Sequence, residues 1–163
     1  MTMRRIVWLI TCLALVALPG RAEEYANDQA LSGVKGAKAY FDVNVGQPGK
    51  LLARLQAIYQ AYNQLEDSGV TPDFVIGFRS TASKFVTRGE AYVQKNELAD
   101  KHKVRSWIEQ FQELGVSMEQ CLIADSALRI DPKDVLPAVK VVANGYISMI
   151  GYQIKGYALV PMD

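Results

Sequence analysis

The chain is short of the residues from which most catalytic and metal-binding sites are built. Its 163 residues include two cysteines and one histidine. There is no C-x-x-C pair, which excludes disulfide exchange of the thioredoxin type. His102 stands alone in the charged run Asp100-Lys101-His102-Lys103 and reads as solvated helix surface. With so few thiols it cannot complete a zinc site. Phosphate loops are missing too, because Gly46-Gln47-Pro48-Gly49 lacks the length and the lysine-serine ending of a P-loop. No excess of one charge is present: 18 Lys and Arg stand against 17 Asp and Glu. Nothing electrostatic therefore draws in nucleic acid or an anionic membrane. The sequence also has no internal repeat and no low-complexity tract. Neither a metal nor another cofactor is expected.

What is present begins at the amino terminus. Arg4 and Arg5 precede an apolar run from Ile6 to Leu18, which Pro19-Gly20 breaks. Gly20 and Ala22 supply small residues just before Glu23-Glu24. This is the pattern of a secretory signal peptide over residues 1–22. The run is too short to span a membrane, which takes about 20 apolar residues. Cleavage would remove Arg4, Arg5 and Arg21, leaving 15 basic against 17 acidic residues. It would also remove Cys12, so the exported, periplasmic form carries a single thiol, Cys121, and has no membrane attachment. An odd cysteine in such a compartment implies pairing between chains or a free thiol with a role. Residues 23–35 read as a polar leader outside the core, and 36–163 as one domain.

Strand and helix alternate through that domain. In the strand Ala37–Val45, Ala39, Phe41, Val43 and Val45 face one way while Lys38, Tyr40, Asp42 and Asn44 face the other. Leu51, Leu52, Leu55, Ile58, Tyr59, Tyr62 and Leu65 then recur at helical spacing until Ser68-Gly69 stops them. Asp73–Phe78 reads as a strand buried on both faces. The stretch from Arg79 to Asp100 has no clear period, and Ser80 to Gln94 within it reads as loop with one or two helical turns. A helical stripe follows at Val104, Trp107, Ile108, Phe111 and Leu114, stopped by Gly115. Val116–Leu122 is a third strand, and Asp131-Pro132 a helix start. Val139–Ala143 is a fourth strand, Tyr146–Lys155 a helix apolar around most of its girth, and Tyr157–Val160 a last short strand. Such alternation predicts a single three-layer α/β/α domain with a mostly parallel sheet of about five strands. In these sheets ligands gather beyond the carboxyl ends of the strands, where Asn44, Arg79 and Cys121 all fall.

Cys121 has two readings. Free cysteine is among the most buried residue types, so the thiol fits a small core hydrophobe. A working thiol needs exposure and an electropositive setting. Asp125-Ser126-Ala127-Leu128 can open a short helix whose positive end favours a thiolate. Glu119, two residues back on the same strand face, opposes it by like charge. Arg79, Lys84 and Arg88 read first as a solvated loop and second as an anion-binding edge. Tyr146, Ile147, Met149, Ile150 and Tyr152 offer more apolar surface than one sheet face can hide, which predicts self-association.

From Val116 onward the order of features resembles the DsrE-like sulfur-relay family. The matching stretches are Gly115 to Arg129 around Cys121, Asp134-Val135-Leu136-Pro137, Val141 to Tyr146, and Gln153 to Pro161. The order and spacing of these pieces carry the likeness, which is motif-specific over roughly the last third of the chain. The resemblance implies a small α/β domain assembling into trimers or hexamers. It also implies that Cys121 accepts sulfur as a persulfide and passes it on. The expectation is an exported DsrE-like sulfur carrier or sulfurtransferase with Cys121 as its thiol. Asn44 and Arg79 would lie around that thiol as substrate-binding groups, and a sulfur donor or acceptor protein would be its partner. The competing expectation is a non-catalytic oligomeric binding or accessory protein with a structural cysteine.

Overall fold

Five strands form one sheet in a computed structural model that describes residues 27–163. The expected signal peptide and the start of the leader lie outside the described residues. The chain divides at Ser32 into two units. Of the first, the described part is one exposed helical turn, α1 (Asp28–Leu31).

The second unit, Gly33–Asp163, holds the α/β domain. Its strands are β1 (Gly36–Val43), β2 (Thr71–Phe78), β3 (Ser117–Cys121), β4 (Lys140–Val142) and β5 (Ala158–Pro161). Between them run α2 (Pro48–Asp67), α3 (Leu98–Glu113), α4 (Leu122–Leu128) and α5 (Gly145–Ile154). The strand order is β4-β3-β2-β1-β5 and every pairing is parallel. The first crossovers step in one direction, and the last returns past them to the far side of β1. Since such crossovers are right-handed, α2 and α3 cover one face and α5 the other.

The α2 and α3 face is the larger core. Phe41 and Val43 of β1, Phe74, Ile76 and Phe78 of β2, and Met118 of β3 pack against Leu51, Leu55, Ile58, Val104, Ile108 and Phe111. Both long helices end as their glycines dictate. Gly69 and Gly115 take the left-handed conformation, and the residue after each donates back to the last turn.

Two local expectations are corrected. Asp131-Pro132 opens only a single 3-10 turn, Pro132–Asp134, although Asp131 does accept the Lys133 N–H. The chain is then drawn out by an antiparallel bridge between Thr87 and Val135 and by the Leu136 N–H donating to Val86. Helix α3 begins at Leu98, well before the apolar stripe. Its first turns bury Lys101, whose amine donates to the Lys84 carbonyl and the Thr87 hydroxyl. A lysine at a core position gives no apolar period to read.

Candidate functional site

The opposite sheet face is built differently. It presents Tyr40 and Asp42 from β1, Val75 and Gly77 from β2, and Glu119 and Cys121 from β3, all of them buried. Asp42, Gly77, Glu119 and Lys140 stand in one row across four strands. Gly77 leaves the space that the Tyr40 ring fills, for a Cβ there would lie 1.9 Å from the Tyr40 hydroxyl. Burial pushes the Tyr40 phenol upward, and the charges of Glu119, Asp42, Tyr152 and Cys121 add to the shift. The hydroxyl stays protonated at any ordinary pH.

Cys121 ends β3, and α4 starts at the next residue. The expected helix thus begins three residues earlier than Asp125. Asp125 itself is buried, accepts from the Gln120 amide, and is pushed upward by that burial. A second helix start also meets the thiol. Gly145, first residue of α5, donates its N–H to the Cys121 Sγ at 3.3 Å. A Cβ on Gly145 would come within 3.1 Å of the Cys121 Cβ, so only glycine brings the backbone this close without displacing its neighbour. Asn144 sets the helix in place, its side chain accepting the Tyr146 N–H at 2.9 Å. Cys121 thus lies where two helices begin, with the Gly145 N–H directed at its sulfur. The thiol is also enclosed, with Cys121 only 4% exposed.

The other two expected site residues go to different places. Arg79 grips Asp42 with a two-pronged ion pair at 2.5 and 2.6 Å. It also donates to the Tyr146 hydroxyl at 3.3 Å and lies over that ring. It therefore reaches the start of α5 beside Gly145 and makes no hydrogen bond to the sulfur. Asn44 lines a cleft of about 740 Å³ at the end of β1, shared with Gln47, Lys50, Lys84 and Tyr92. Cys121 does not line that cleft.

Residues that sequence reasoning passed over complete the Cys121 face. Tyr152 of α5 donates to Glu119 Oε1 at 3.3 Å and packs on Tyr40 with ring centres 5.5 Å apart. Tyr157 donates to Asp73 at 2.8 Å, and burial first, then that bond, pushes its phenol up to about 12. The polar alternation of β1 and the Asn144-Gly145 helix start were the signals available for this face.

No protein-family model matches the chain. It is 32% identical over 125 residues to an uncharacterized protein of Aquifex aeolicus (strain VF5), an alignment covering 76% of this chain. The chain spans 55% of that protein's length. Among solved structures it is similar to the protein of unknown function MTH1491 from Methanobacterium thermoautotrophicum. That match has a TM-score of 0.61 at 17% identity and covers 77% of this chain and 98% of the other. At that identity the likeness is one of fold.

Proposed function

We propose that the protein is an exported, DsrE-like sulfur carrier whose working group is the Cys121 thiol, acting in the periplasm as a homo-oligomer after loss of residues 1–22. The observation that carries this reading is the Gly145 N–H donated to the Cys121 Sγ where two helices begin. A thiolate is the nucleophile sulfur transfer needs, and backbone donors of this kind stabilise it. On loading, the thiolate attacks the outer sulfur of a sulfane donor. A new S–S bond forms as the donor's bond to that sulfur breaks, and the donor leaves with the electron pair. An acceptor thiolate reverses the exchange and frees Cys121. Arg79 is held at the start of α5 by its contact with Tyr146, the residue after Gly145.

The enclosure of the sulfur favours a second reading, an oligomeric accessory protein with a structural cysteine. One experiment separates them. The purified protein is treated with polysulfide and weighed by mass spectrometry before and after a reductant. The carrier gains one sulfur, loses it on reduction, and no longer gains it as Cys121→Ser. A structural cysteine takes up nothing in the native state and reacts only on unfolding.

A further inference from the structure

The Cys121 face holds a second group that is only half employed. Glu119 is 7% exposed, and while its Oε1 receives the Tyr152 hydroxyl, its Oε2 has no hydrogen-bond partner. Buried carboxylate oxygens without partners are rare in native proteins; Asp125 Oδ2 is another here, and each calls for an ordered water, an ion or a functional role. No cation pairs with it among the described residues. Arg79 is committed to Asp42, and Lys140, its neighbour in register, is exposed and makes no ion pair among the described residues. The remaining titratable groups on the elements packed there are Lys38, Tyr40 and Asp42 of β1, Asp73 of β2, Cys121 of β3, and Tyr146 and Tyr152 of α5, with exposed Lys155 over the Tyr152 ring and Tyr157 under Lys38. Of these only Cys121 carries a proton that the chemistry must move. Glu119 and Cys121 lie two residues apart on one strand, on one face, under one helix.

Resting on the carrier reading, we propose that Glu119 is the proton acceptor for the Cys121 sulfur. The step balances simply. Cys121 Sγ and Glu119 Oε2 make no direct hydrogen bond. The Cys121 S–H bond therefore breaks with its proton passing through one water to Glu119 Oε2, and the sulfur keeps the electron pair as a thiolate facing the Gly145 N–H. When an acceptor thiolate later takes the outer sulfur, Cys121 departs as a thiolate and recovers its proton from Glu119. Tyr152 holds the carboxyl through Oε1 and leaves Oε2 free for this exchange.

The test uses iodoacetamide on the native full chain, with alkylation followed on the Cys121 peptide by mass. In this reaction an S–C bond forms, iodide leaves, and the thiol proton must go to a base. Glu119→Gln keeps the size of the side chain and an acceptor for Tyr152 while removing the base. Its rate at about pH 7 falls at least tenfold, the lower edge of general-base effects, and the deficit closes as hydroxide takes over toward about pH 9. A rate equal to or faster than wild type, as simple like-charge repulsion gives, overturns the proposal. So does a slowing by one factor at every pH, which a structural role gives. Should the glutamine variant not fold, Glu119→Asp keeps a carboxylate of shorter reach and shows a smaller deficit with the same pH trend; an unchanged rate overturns the proposal there. Polysulfide loading separates the two ideas. Glu119-dependent alkylation without sulfur uptake removes the carrier reading alone, and sulfur uptake with Glu119-independent rates removes the proton acceptor alone.

Discussion

Phe41, Val43, Phe74, Ile76 and Phe78 meet two long helices on one face of the sheet, with Gln120 the polar exception among buried strand residues. Tyr40, Asp42, Glu119 and Cys121 meet a single ten-residue helix on the other. Both faces are buried, but of the strand residues only those on the second include groups that hold charge. The α2 and α3 face holds most of the buried apolar side chains, each Å² of which stabilises the domain by roughly 25 cal/mol. The α5 face can therefore carry costly polar groups without unfolding the protein. Division of this kind is expected where local rules are broken for the sake of a site.

The sharpest way to break the comparison is to cut into each face in turn. Phe111→Ala, at a fully buried position in the last turn of α3, should cost about 3–5 kcal/mol by chemical denaturation. Tyr152→Phe on the α5 face loses one long hydrogen bond and should cost about 1 kcal/mol or less. Equal losses would show that stability is shared evenly and that the division is false.

Gly77→Ala comes next. The new methyl meets the Tyr40 ring and hydroxyl, so a loss of about 1–3 kcal/mol is expected from overpacking. Tyr40→Leu removes the obstructing ring. The double variant should then recover part of the loss, with a coupling of at least about 0.5 kcal/mol. Strict additivity would mean that Tyr40 does not occupy the space Gly77 leaves.

How much of this was legible in the sequence follows the same division. Alternation in β1 and the stripes of α2 and α3 gave the apolar face, because burial there is the sole constraint and leaves a clean period. The stops at Gly69 and Gly115 were readable from the glycines themselves, since few residues take a left-handed cap. The other face gave less. Cys121 and Glu119 were visible on β3. That Gly145 would meet the sulfur depends on β4 and α5 returning past it, a contact spanning 24 residues. No local pattern encodes that. Asn44 and Arg79 share the carboxyl edge with Cys121, yet they point to a cleft and to Asp42 respectively.

Lys101 is the exception on the apolar side, and it makes the comparison pH-sensitive. Burial, then the charge of Arg105, lowers its amine from 10.5 to about 8, with Glu90 opposing weakly. The folded chain gives up this proton before the unfolded chain does. Between about pH 8 and 10.5 the unfolded state therefore binds more protons, and stability from this group rises with pH. Below about pH 8 that contribution is lost, because both states are protonated and the folded state holds a buried charge. Denaturation midpoints of wild type and Lys101→Met, compared at the two ends of the window, should move apart in favour of wild type at the alkaline end. A constant difference would place the amine in solvent.

The smallest effect on stability is expected on the outside of α5. Ile147 is 68% exposed and Ile154 81%, with Tyr146 and Ile150 beside them on a helix that has no charged residue. In a monomer such side chains contribute little to folding, and Ile147→Ser with Ile154→Ser should change stability by no more than about 0.5 kcal/mol each. Met149, on the inner side of the same helix, is buried against Tyr40 and Val75 and should cost about 2–5 kcal/mol as alanine. If the outer face seats a second copy, as its uncharged surface allows without like-charge repulsion, the serine variants should instead lower the assembled mass in light scattering. Their denaturation midpoints would then depend on protein concentration less than wild type does. A mass and a midpoint that stay the same in all three proteins, at every concentration, would mean that α5 covers only its own sheet.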